Sequence, residues 1–449
     1  MRRRVAVGIL AGTVLISACT NAPAAVDNQT SAARTSAPTT TVANSGAAWT
    51  ISGSGSPVSV VGNVVVAARS DGIVAVDRAS GRELWHRDRK QPKGEPEYWV
   101  DGGRIVVGEE VPASSDPKVF EVVDAASGRT EWHWSASGFV VVDGAIYTWD
   151  CTGSSQRADQ CSTTRHDIRD GRPTWPAPVT GKVNGEAIGL WHRQAPAEPD
   201  FLPIVVRDLH ASSSGPAPWA LVEAATGAVL PGRAEHHAWF ELGVGESIVV
   251  TDHSPEGGSS ECAVAIEATS ARDGAQRWTA TVHSGRYKNH KCSETLGPVY
   301  DRQIVGNGSR IAALTSAGAP QLFDLATGAM VWEAADPGTP IDADDRSMLV
   351  SEFADQGALS LLDMATGAKK WSVADPGFEG YPVQRNTFLI GDRVVVGGRV
   401  PNGPGHIANV TIVYDRETGR EIARHQGVLG GAGTDWVAVV GDDGLEFHT

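Results

Sequence analysis

The stretch Ala75-Val76-Asp77-Arg78-Ala79-Ser80-Gly81-Arg82-Glu83-Leu84-Trp85 decides the fold, because its pattern returns along the whole chain. An apolar strand ends in an acidic residue, Ser/Thr-Gly follows after a short spacer, and a tryptophan stands four residues past the glycine. Further copies run Asp124 to Gly128 with Trp132, Asp167 to Gly171 with Trp175, and Ser270 to Gly274 with Trp278. Asp324 to Gly328 with Trp332 and Asp363 to Gly367 with Trp371 complete the well-formed set. Two copies are weaker: Glu223 to Gly227, with Pro231 at the tryptophan position, and Asp415 to Gly419, without the tryptophan. The eight glycines lie 39 to 56 residues apart, the period of a repeat architecture.

Each residue type in the pattern has a physical task. Alternating Val74 and Val76 make a strand with one face toward a core. The acidic and hydroxyl side chains can accept hydrogen bonds from turn backbone, and the glycine can take a positive φ. The strand leaving the turn carries an indole large enough to fill the gap between neighbouring sheets. One such sheet cannot bury both faces alone, and radial stacking of several solves that. The fold class expected is therefore all-β: a β-propeller of four-stranded antiparallel blades.

The string Ala-Val-Asp-x-x-Ser-Gly-x-x-x-Trp resembles the tryptophan-docking repeat of the PQQ-like quinoprotein family. It is similar as well to the outer-membrane assembly lipoprotein family that shares this propeller, with the likeness running over residues 49–449. Trp85, Trp132, Trp175, Trp278, Trp332 and Trp371 are then blade-docking residues. Closure is expected from both termini. Ala48-Trp49-Thr50-Ile51 reads as an orphan outer strand, and Trp436 to Val440 and Gly444 to Phe447 read as partners for it. Eight internal units plus a composite would make nine, outside the usual four to eight. Eight blades is the expected count, with one unit irregular or the termini augmenting an existing blade.

The N-terminus gives an address. Arg2, Arg3 and Arg4 precede a short apolar run, Val5 to Leu15, of signal-peptide rather than membrane-spanning length. Ile16-Ser17-Ala18-Cys19 resembles a bacterial lipobox, which implies diacylglycerol on Cys19 after cleavage. Residues 1–18 are read as a lipoprotein signal peptide and 19–48 as a lipidated linker too poor in large apolar side chains to fold. This predicts an extracytoplasmic protein lipid-anchored at the cell membrane. The net charge of −15, or −18 without the three leader arginines, disfavours nucleic acid as a partner. Four cysteines remain, and Cys151–Cys161 with Cys262–Cys292 is the favoured one of three connectivities, free thiols being the alternative. Neither pair has zinc-ligand spacing.

In a meander of strands A to D, the A–B and C–D turns share one face and the B–C and D–A connections share the other. The C–D turns are the short Ser/Thr-Gly turns. The long excursions at 110–117, 151–161, 208–218, 253–261 and 400–408 are read as B–C loops, and those at 87–96, 233–239 and 281–298 as D–A loops. All long insertions are expected on that second face, where ligand contacts would be built. His236, His237 and Trp239, and His283, Arg286, Lys288, His290 and Lys291, are polar clusters there. Adjacent histidines point to opposite sides of a strand, which makes a poor metal pair.

Two functions follow. The first is a non-catalytic, monomeric binding or scaffold lipoprotein, contacting an envelope protein or cell-wall component, with no catalytic residue, metal or cofactor assigned. The alternative is a PQQ-dependent dehydrogenase. Enzymes of that branch carry an adjacent cysteine pair against the quinone, and this chain has no Cys-Cys dipeptide and no Cys-x-x-Cys-His haem site.

Overall fold

A computed structural model describes residues 47–88, 97–108, 118–152, 158–183, 198–206, 219–230, 240–244, 247–254, 261–286, 304–305, 309–315, 318–352, 358–374, 378, 387–402 and 406–449. These residues form nine antiparallel sheets, eight of four strands and one of three. Sheets 1 to 8 follow chain order, sheets 2 to 8 lying within residues 97–136, 138–180, 182–223, 240–286, 304–333, 339–374 and 387–426. Sheet 1 is Ser54–Val61, Val64–Arg69, Gly72–Asp77 and Glu83–Asp88, a meander with each strand hydrogen-bonded to the next.

The expectation of eight blades is corrected to nine sheets. The termini do not add to an existing sheet. Trp49–Ile51 pairs with Gly444–His448 through Trp49↔Phe447, Thr50↔Glu446 and Ile51↔Leu445, and Trp436–Gly441 and Val428–Gly433 complete a closing sheet of its own. Nor does the weak fourth unit dissolve. It forms the three-stranded sheet Lys182–Val183, Phe201–Val205 and Trp219–Glu223, still ended by a turn in which the Gly227 N–H donates to the Glu223 carbonyl at 2.8 Å. Pro231 cannot donate to a ladder, and the Val222↔Val229 bridge is all that continues the sheet outward among the described residues.

Strand faces alternate as a stacked-sheet fold requires. In Val64–Arg69 and Gly72–Asp77 the even and odd positions enter different cores. Val64, Val66, Ile73 and Ala75 pack on Tyr98, Val100 and Ile105 of sheet 2, while Val65, Ala67, Val74 and Val76 pack on Trp436, Ala438, Leu445 and Phe447 of the closing sheet. The closing sheet's other face, with Leu429, Ala432, Val437 and Val439, covers Val395 and Val413 of sheet 8. Packed on both the first and the last internal sheet, it closes the propeller and leaves no open sheet face at either terminus.

Candidate functional site

The repeat turns explain how the scaffold holds its loops. Asp77 Oδ1 accepts from both the backbone N–H and the hydroxyl of Ser80, at 2.9 and 2.6 Å. The Gly81 N–H donates to the Asp77 carbonyl at 2.8 Å, and the Asp77 N–H donates to the Arg82 carbonyl at 2.8 Å. Asp124, Asp324, Asp363 and Asp415 repeat the bond to the residue three positions on. The Ser80 hydroxyl, bonding the charged form, holds the Asp77 carboxyl below its ordinary range, and Ser127 does the same to Asp124. At Asp167 the Arg169 guanidinium is the main cause and the value falls to about 2.

Seven of the eight repeat turns receive an indole from the preceding sheet. Trp49, Trp85, Trp132, Trp175, Trp278, Trp332 and Trp371 donate their Nε1–H to the carbonyls of Arg78, Ala125, Ile168, Ala224, Leu325, Met364 and Arg416, at 2.7–2.9 Å. The acceptor is always the residue after the acidic position. The ring lies flat on the turn glycine: a β-carbon at Gly128 would stand 2.6 Å from Trp85, and one at Gly367 would stand 2.7 Å from Trp332. Glycine is thus needed twice, for a φ of +69° at Gly128 and for the missing β-carbon under the indole. At Gly274 the φ is +72° but nothing among the described residues lies within 4 Å of a β-carbon there, and the preceding unit has Pro231 at the tryptophan position of the sequence.

Charged groups add fixed contacts between particular sheets. Arg165 grips Glu198 with two bonds of 2.8 Å, and the Tyr147 hydroxyl donates to the same carboxylate at 2.5 Å. Burial first and then this carboxylate raise the Tyr147 pKa, and the carboxylate raises that of Arg165. Arg416, 1% exposed, donates to Asp344 Oδ1 at 2.5 Å and to the Gly391 carbonyl at 3.2 Å, joining sheets 7 and 8. Arg78 pairs with Asp435 at 2.7 Å, joining sheet 1 to the closing sheet.

On the B–C and D–A face, the described residues show paired strands running into the excursions. Cys151 and Cys161 stand opposite each other in register and form a disulfide with a Cα–Cα distance of 3.9 Å, which staples the B–C hairpin of sheet 3 at its tip. In sheet 8 the expected loop 400–408 begins and ends in strand: Arg393–Pro401 pairs with Ile407–Asp415 rung by rung, out to Pro401↔Ile407. Likewise Thr281 to Arg286, read from sequence as loop, extends the strand Gln276–Arg286 against Glu261–Ser270. At roughly 3.3 Å per residue, three or four added residues carry such a hairpin ~10 Å beyond its neighbours. One connection breaks the expected rule. Residues 184–200 link the first two strands of sheet 4 and are an A–B connection, so long insertions are not confined to one face.

Several sequence-assigned residues lie outside the described ones: Cys19, Cys292, His236, His237, Trp239, Lys288, His290 and Lys291. The Cys262–Cys292 pairing therefore lies outside them too. Cys262 itself is on the strand Glu261–Ser270, in register with Gly285, and His283 pairs with Val264. Among the described residues, no group of three or more His, Cys, Asp or Glu side chains is arranged to hold a metal ion. Histidine positions that the sequence reading passed over prove to be internal. His166 is fully buried between the Gly171 carbonyl and the Thr148 hydroxyl, each 3.0 Å from a ring nitrogen, and His425 and His448 stack with centroids 3.9 Å apart.

A family model described as "Outer membrane protein assembly factor BamB" matches residues 40–175 and 264–442, well over half of the chain. The chain belongs to this BamB family. The interval the match skips, 176–263, holds sheet 4 and the Pro231 position, where the repeat is most degraded. The outer membrane protein assembly factor BamB of Pseudomonas aeruginosa is 31% identical over 118 residues, 24% of this chain and 31% of that relative, so the match spans about a third of the relative's length. Among solved structures, a eukaryotic initiation factor has a TM-score of 0.50 at 12% identity, with 81% of this chain and 85% of that one covered. BamB from Moraxella catarrhalis has a TM-score of 0.37 at 14% identity, with 89% and 98% covered. This BamB-family chain thus carries the PQQ-like, tryptophan-docked repeat on a nine-sheet propeller.

Proposed function

We propose that the chain is an exported lipoprotein whose propeller, residues 49–449, is a non-catalytic binding scaffold of the cell envelope. Residues 1–18 are its signal peptide, Cys19 its lipid attachment site, and 19–48 the tether holding a monomeric propeller off the extracytoplasmic membrane surface. Its partner is an envelope protein or cell-wall component, and by extension from the family's description that partner belongs to envelope protein assembly. Contact is through the B–C and D–A face, helped by the extended hairpins of sheets 5 and 8 and by the stapled hairpin of sheet 3.

The family match over residues 40–175 and 264–442 carries this reading. The repeat's conspicuous polar groups support it, being spent on the fold: the turn carboxylates bond their own turns, and seven indole N–H groups bond neighbouring sheets. A fold alone assigns no activity, since propellers host many. Titration of the purified protein with PQQ and calcium tests the non-catalytic part: the expected outcome is no quinone absorbance after desalting, and stoichiometric retention would overturn it. Cys19→Ala tests the anchor: the protein is expected to move from the membrane to the soluble fraction, and persistence at the membrane would contradict the lipobox reading.

A further inference from the structure

The contact between sheet 8 and the closing sheet has no docking tryptophan, since Ala423 stands four residues after Gly419. Val395, Val413, Leu429, Ala432, Val437 and Val439 fill its centre. Two histidines occupy its rim. His425 is on the outer strand of sheet 8, opposite Thr411, and His448 is on the closing sheet, opposite Val437. They are 5% and 6% exposed, with ring centroids 3.9 Å apart and planes inclined by 36°. Neither ring nitrogen of His448 has a hydrogen-bond partner. A buried imidazole inclined against a second one in an apolar seam is costly to charge, because burial takes the cation out of water and the neighbouring ring offers it no counter-charge.

We propose that the His425–His448 pair is an acid-sensitive latch on the seam that closes the propeller, shut while the His425 ring is neutral and released when it is charged.

Charged groups stand on the elements that flank the pair. Glu446, two residues from His448, brings Oε2 to 3.2 Å of His448 Nε2. Glu421 and Arg424, on the same strand as His425, bond each other at 2.8 Å. In the strand Ile407–Asp415 the acidic group is Asp415, whose Oδ1 is held by Thr418, and Arg399 on the neighbouring strand is exposed. The strands Val428–Gly433, Trp436–Gly441 and Trp49–Ile51 carry no Asp, Glu, His, Lys or Arg. Among the described residues, no hydrogen bond or ion pair on these elements brings a carboxylate to His425. Burial, and then His448 beside it, push its pKa down from 6.5 to about 4.

The closed seam therefore binds a proton at His425 more weakly than an open one. Its relative stability falls as pH drops below about 6.5 and levels off below about 4. Over that window the closed-to-open ratio should drop by roughly two to three orders of magnitude. The strand released first is the short Trp49–Ile51, held by three paired residues.

Hydrogen exchange on the full mature chain tests this. Protection factors of Trp436–Gly441 and Gly444–His448 would be compared with those of Ser347–Glu352 and Ala358–Asp363 in sheet 7, at pH 7.5, 6.0 and 4.5. The seam's protection is expected to fall at least tenfold relative to sheet 7 on acidification, and His425→Phe should abolish that relative fall. A ratio constant with pH in the wild type, or an equal fall in the variant, would overturn the latch. Ring-carbon NMR of wild-type histidines needs no variant to fold: a His425 pKa near 4 supports the proposal and one above 6 overturns it.

Discussion

Two kinds of contact join the sheets of this propeller, and their difference shows what the repeat is for. At seven contacts an indole crosses from one sheet, lies on the next sheet's turn glycine and donates to a turn carbonyl. At the other two, sheet 4 to sheet 5 and sheet 8 to the closing sheet, no indole crosses among the described residues. The first of these has Leu230 and Phe201 against Ala271, and the second has aliphatic filling with two histidines at its rim. The indole joins burial, a hydrogen bond and a fixed register in one side chain. Aliphatic filling gives burial alone.

The largest effect should come from removing a docked ring. Trp175, 5% exposed, packs on Tyr147, Leu202 and Val222, and Trp175→Ala should cost about 3–5 kcal/mol, read from denaturant midpoints. Leu230→Ala, at the contact without an indole, should cost nearer 2 kcal/mol. Equal losses would erase the distinction. Turn glycines sharpen it further. Gly274→Ala should cost about 1–2 kcal/mol for its positive φ alone. Gly128→Ala carries the same penalty and must also displace the Trp85 ring, adding ~1–3 kcal/mol. Smaller again is Trp85→Phe, which keeps most of the packing but leaves the Ala125 carbonyl without its donor, at about 1 kcal/mol.

Acid should separate the two kinds of contact by pH. The depressed carboxyls of Asp77, Asp124, Asp167, Asp363 and Asp415 give stability that is full above their unfolded value of 3.8. It is lost as pH falls through their folded values, about 2 for Asp167. His425 acts in the window above, from about 6.5 down to about 4. A melting profile should therefore fall in two stages, with Asp167→Asn flattening only the lower one. A single transition untouched by either substitution would contradict this division.

Much of the scaffold was legible because each repeat residue has a short-range task visible in sequence. Asp124, Ser127 and Gly128 meet within one turn, and in six of the eight copies a tryptophan stands four residues on. The ninth sheet was less plain, since its strands come from opposite ends of the chain and Trp49 reads as an orphan until Phe447 is beside it. Strand length was misjudged at Val400, Pro401, Ile407 and Ala408, read as loop, although the ladder between Arg393–Pro401 and Ile407–Asp415 runs through them. The histidine seam left no sequence signal beyond a vacant tryptophan position at Ala423. His425 and His448 meet only because the propeller closes.

The contact face is the claim on which function turns, and face-resolved photocrosslinking in intact cells tests it most directly. A photoreactive residue would be placed at exposed Thr152 and Asn402, at the ends of B–C hairpins, and at exposed Ala79 and Ala126 in the C–D turns. Abundant crosslinks to one envelope component from the first two positions, with none from the last two, is the expected result. Equal crosslinking from Ala79 and Ala126, or capture from those two alone, would contradict it.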